Sequence, residues 1–106
     1  MDRRKKSFVI NTLRRASYRW PTRWGAEKRS KIGRNQYYCE CCGIIGPKKE
    51  FQMDHKVPVV DPEEGFVGFD KYADRMFPDT EDGWQRLCTD CHDIKTEEEN
   101  KIRKKN

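Results

Sequence analysis

Two short cysteine pairs, Cys39-x-x-Cys42 and Cys88-x-x-Cys91, constrain this chain more than any other feature. A CxxC turn sets two thiolates on one side of a metal ion. Two such turns complete a tetrahedral shell of the kind zinc fills. The fold must bring the pairs together and close the long segment between them into a loop anchored at both ends. Metal affinity then becomes folding free energy, because the unfolded chain lacks a site. The chain needs such help: 106 residues, 34% hydrophobic and 39% charged, make a lean core, and small lean domains are marginal without a staple. Cys41 is left over. It could replace Cys42 only through a tighter CxC turn, so Cys39 and Cys42 are the expected ligands. An odd cysteine count also argues against complete disulfide pairing. No apolar run follows the charged first residues, and no stretch is apolar and long enough to span a membrane. A reducing cytoplasm is the expected setting, where paired CxxC motifs read as metal sites.

The net charge of +5 hides a strong asymmetry. Residues 1–38 hold twelve Lys or Arg against Asp2 and Glu27, or 12 − 2 = +10. Residues 39–106 hold eleven against sixteen acids, or 11 − 16 = −5. A basic arm that meets a polyanion, joined to a body with another task, is the expected organisation. The arm is drawn at 1–36 and the body at 37–106.

Val9, Leu13 and Ala16 predict a basic amphipathic helix over 3–18, ended by Pro21. A second helix is predicted from Thr22 to Ile32, closed by Gly33. Arg14, Arg15, Arg19, Arg23, Lys28 and Arg29 are interleaved there with Tyr18, Trp20 and Trp24, a surface suited to DNA. The alternative is a solvated face packed through its aromatics onto the body. Residues 37–46 (YYCECCGIIG) read as a zinc knuckle whose crowding Gly43 and Gly46 relieve. Residues 50–60 predict a strand carrying Asp54 and His55, limited by Pro58. Residues 61–82 form an acidic insertion with a short helix predicted near 69–77, and a final helix starts from Cys88. Trp84 is expected in the core, and Arg86 against the insertion or a phosphate.

The only two histidines sit in suggestive strings, His55 in MDHKVP and His92 in LCTDCHDIKT. If zinc joins the knuckle to the last helix, His92 lies in that helix's first turns and faces Asp54. Asp54 then offers a hard oxygen and His92 a nitrogen to a divalent cation that polarises a phosphoryl oxygen. His55, on the strand's other face, can take a proton from water, with a reference pKa of about 6.5. Either histidine alone would read as a surface or capping residue. Their joint placement beside the CxxC pairs favours the chemical reading.

The strings YYCECC, MDHKVPVV and LCTDCHDIKT resemble the successive motifs of HNH endonucleases that carry a four-cysteine zinc site. SFVINTLRRASYRWPTRW and PVVDPEEGFVGFDKYADRMF are similar to small phage-encoded members. The resemblance implies an α+β fold: a zinc-stapled, treble-clef-like ββα-metal core with a basic N-terminal helical arm. It also implies Asp54 and His92 as ligands of one catalytic cation (Mg, Mn, Ni or Zn), His55 as general base, and Lys95 facing a phosphate. Products would carry 5′-phosphate and 3′-hydroxyl ends, in a phage-infected host's cytoplasm. The family's middle motif usually has an asparagine that braces the loop of the base. Gly83 stands in its place, within EDGWQRLC, with Asp82 or Gln85 as candidate substitutes.

Three functions remain open at this stage: a metal-dependent DNA endonuclease, a non-catalytic zinc module that binds nucleic acid, and an interaction protein. In the third, the acidic insertion would meet a basic partner such as a phage packaging (terminase) subunit. A pure binding module has no use for a carboxylate beside an imidazole, which favours the first. Oligomeric state is open, although cutting both strands with one site per chain would favour a dimer.

Overall fold

The structure, a computed structural model, describes residues 1–105. It is a small α+β protein with four helices and two small sheets. Helix α1, Arg3–Ser17, starts where the Asp2 carboxylate accepts the Lys5 N–H at 2.9 Å, an N-cap that satisfies one of the helix's free donors. Pro21 then opens helix α2, Pro21–Arg29. Proline is tolerated there because a first-turn N–H has no helical partner.

Helix α2 stops at Arg29, short of the predicted Ile32. The Ser30 hydroxyl donates to Ala26 O at 2.9 Å and competes with helical continuation. The chain then turns into strand β1, Lys31–Gly33, with Asn35 at φ +51° reversing it. Asparagine tolerates that left-handed region better than most side chains. Strands β1, β2 (Gln36–Tyr38) and β3 (Ile45–Gly46) form one antiparallel sheet, pairing Lys31 with Tyr37 and Tyr38 with Ile45. This sheet straddles the expected boundary at residue 36, so the basic segment is knitted into the body.

Strands β4 (Phe51–His55) and β5 (Trp84–Cys88) form the second sheet, antiparallel from Phe51↔Cys88 to His55↔Trp84. Helix α4, Thr89–Lys105, follows β5 directly and packs across both strands. Between the strands in sequence, helix α3 (Phe69–Met76) packs on α1, with Tyr72 and Met76 buried. Cys39, Phe51 and Leu87 are the core beneath the cysteine pairs, while Trp84 is buried beside the other end of β4. Among the described residues, no helix is long and apolar enough to cross a membrane.

Candidate metal centres and catalytic recess

The first centre is the cysteine cluster. Strands β2 and β3 flank a turn in which Gly43 N–H donates to Cys39 O at 2.8 Å and Cys39 N–H to Ile44 O at 2.9 Å. Gly43 has φ +80°, which a side chain would resist. The turn presents Cys39 and Cys42, while the β5–α4 junction presents Cys88 and Cys91. All four sulfurs lie within 4.8 Å of one another. A zinc tetrahedron with Zn–S bonds near 2.3 Å has edges of about 3.8 Å, and Cys42 Sγ lies 3.8 Å from Cys88 Sγ. Cys41 is exposed and outside the cluster.

Electrostatics point the same way. Burial pushes the Cys39 thiol up, but N–H groups of Cys42, Cys88 and Cys41 outweigh it and bring Cys39 down to about 6. The Cys91 thiol is pushed up, first by its contact with Cys88. One thiolate is favoured, and Cys42 and Cys91 beside it resist ionising, as thiols crowded on one point do. The four cysteines can therefore hold a structural metal ion such as zinc.

The second centre is a recess of about 510 Å³ between α1, β4, α3 and α4. It gathers Asp54, His55, His92 and Lys95, residues far apart in sequence. Asp54 and His55 are consecutive at the end of β4, and β5 holds them in register opposite Gln85 and Trp84. His92 and Lys95 lie in the first turns of α4, on the face turned to β4.

His55 is held from two sides. Its Nε2 lies 3.0 Å from Met76 O, one of the carbonyls that a helix C-terminus leaves unpaired. A carbonyl only accepts, so Nε2 carries the proton and Nδ1 keeps its lone pair. The ring also stacks on Trp84 at 4.2 Å. Trp84 Nε1 donates to Thr22 Oγ1 at 2.9 Å, and Thr22 Oγ1 donates to Pro78 O at 2.8 Å. Trp20 Nε1 donates to the same carbonyl at 2.7 Å. Burial lowers the His55 pKa below 6.5, with the Met76 carbonyl and Asp54 opposing.

Gly83 has a clear role here. Its carbonyl accepts the Lys56 N–H at 3.0 Å, just after the histidine. A Cβ at Gly83 would stand 2.3 Å from the Pro78 Cβ, so no side chain fits while Pro78 is pinned. The expected substitutes do not brace the loop: exposed Asp82 lies 3.7 Å from Arg29, and Gln85 is a β5 residue opposite Asp54.

Lys95 departs from expectation. Its ammonium bonds Asp54 Oδ2 at 2.5 Å and His55 O at 2.8 Å. It also lies 3.5 Å from Glu99 Oε1, a buried atom with no hydrogen bond. Two carboxylates thus converge on one positive charge, with His92 lining the same recess. Sequence reading overlooked Glu99, although its i+4 spacing from Lys95 puts the two on one helix face.

Several arm residues differ in role from the sequence reading. Arg29 donates to Glu40 through Nε (2.9 Å) and Nη2 (3.0 Å), and to the Glu81 and Trp84 carbonyls. Its donors are spent inside the protein, so it is a structural clasp and not a phosphate contact. Trp20 turns inward, edge-on to Phe77 at 5.3 Å. Arg86 turns inward: it is 2% exposed, bonds Ser30 Oγ at 2.6 Å and lies 4.3 Å over the Tyr37 ring. Arg14 and Arg23 do line the recess, Arg15 and Arg19 are exposed outside it, and exposed Lys28 lines a neighbouring hollow.

No family model, curated protein or solved structure matches the chain.

Proposed function

We propose that the chain is an HNH-type endonuclease that hydrolyses DNA phosphodiester bonds with one divalent cation and a histidine base. The observation that carries this reading is the convergence of Asp54, His55, His92 and Lys95 on one recess, built on two strands and a helix beside a four-cysteine cluster. In this reading Asp54 and His92 hold the cation, which supplies Lewis-acid activation of the phosphodiester. His55 Nδ1 takes the proton of the attacking water. The Met76 carbonyl fixes the tautomer and Trp84 the ring plane, so the base needs no reorganisation when it acts. Lys95 balances the charge of Asp54 in the free protein and has an ammonium to offer a phosphate oxygen. Arg14 and Arg23 bring the polyanion to the recess.

A zinc-stapled binding module without catalysis is the second reading. The Lys95–Asp54 ion pair favours it, because it already neutralises the carboxylate that a cation would need. Supercoiled plasmid separates the two. Addition of Mg, Mn or Ni to zinc-loaded protein is expected to start cutting, and Asp54→Asn to stop it while keeping its zinc. Asp54→Asn cutting at the parental rate with the same metals would reject Asp54 as a cation ligand.

A further inference from the structure

The recess does not end at the candidate catalytic residues. It shares Tyr18, Arg23, Gln52 and Met53 with a second hollow of about 300 Å³. That hollow shares Glu27, Lys48 and Arg86 with a third of about 380 Å³, which reaches Trp24 and Lys31. The three form one groove along α2 and the near edge of the sheets. Beyond the recess its walls carry Lys28, Lys31 and Lys48, while Arg23 pairs with Glu27 and Arg86 lies buried beneath. Lys28, Lys31 and Lys48 have no ion pair among the described residues, so their charge is open to a ligand.

The groove also offers aromatic faces. Tyr18 is 60% and Trp24 53% exposed, large apolar areas to leave in water beside lysines. Arg23 lies 4.5 Å over the Tyr18 ring. Cations that track phosphates, with aromatics on which bases stack, are how proteins hold a single strand without reading its sequence. Each hollow is near the lower end of small-ligand pockets in size, which suits one nucleotide and not a duplex. A paired base has no free face for Trp24.

We propose that this groove holds one unpaired DNA strand leading away from the catalytic recess, with bases on Tyr18 and Trp24 and phosphates on Lys28, Lys31 and Lys48. The proposal rests on the endonuclease reading for its DNA partner, and it adds a strand-separated substrate that this reading does not require.

Anisotropy of a labelled 12-nucleotide single strand tests it, on zinc-loaded protein with no other divalent cation. Trp24→Ala should weaken binding about tenfold, the scale of one lost stacked base, and Trp24→Phe should recover most of it. Lys31→Glu with Lys48→Glu should flatten the salt dependence by roughly 0.7 per lost phosphate contact. Lys101→Glu with Lys105→Glu, an equal charge change on the α4 tail, should do neither. Undiminished binding by Trp24→Ala, or equal loss from the tail pair, overturns the groove. A parent that cuts plasmid while Trp24→Ala binds fully sinks the groove alone. Groove-dependent binding by a protein that cuts nothing sinks the nuclease alone.

Discussion

His55 is neutral near pH 7 because burial disfavours its charged form. If it is the base, cleavage requires that neutral form, so the rate rises as pH passes upward through the His55 pKa and then levels. Since that pKa lies below 6.5, the midpoint of the acid limb is expected below pH 6.5 in kcat/KM. A limb centred above pH 7 would exclude the imidazole in this environment. The strand alternation and the MDHKVP string made Asp54 and His55 legible before any coordinates. Their partners were not legible, because Met76 O and the Trp84 ring reach the imidazole only through tertiary packing. Arg29 misled for the same reason. An arginine in a basic run looks like a phosphate contact until Glu40, eleven residues away, takes its fork.

At the scale of elements, α1 and α3 followed from apolar spacing, and α1, α3 and α4 lie where the sequence puts them. The short strands did not follow. A three-residue strand such as β1 has too little pattern to read, and Ser30 ends α2 through a local bond that periodicity does not register. Strand β5 is buried on both faces at Trp84, Arg86 and Leu87, so alternation is lost. The acidic insertion reads as a segment packed onto the core, and its helix end holds the imidazole. Gly83 belongs to this scale, because it lets β5 begin against Pro78. Gly83→Asn is expected to destabilise the protein by roughly 1–3 kcal/mol through overpacking against Pro78. Its melting temperature should fall by about 5 °C or more. A variant melting at or above the parent would show that Pro78 can yield.

For the whole molecule, the cysteine pairs set the closure of the chain, as their spacing announced. The cluster joins the knuckle to the β5–α4 junction, and α4 forms one wall of the recess. Cys88→Ser is expected to lose zinc and cooperative melting together, since folding and metal binding share one free energy. Cys41→Ser should keep about one zinc per chain and melt within about 2 °C of the parent. A folded, zinc-free Cys88→Ser would remove the staple from the account. The division into arm and body was drawn from charge, and charge does not mark a structural boundary. Strand β1 and Arg29 tie the basic segment into the sheets, so its surplus cations form one wall of the groove.

The most direct test of the central claim is plasmid nicking by His55→Ala beside the parent, each zinc-loaded and supplied with the same divalent cation. The account predicts a loss of about a hundredfold or more, the scale of a general base, with zinc content and oligonucleotide binding retained. Equal cutting by the two proteins would contradict it.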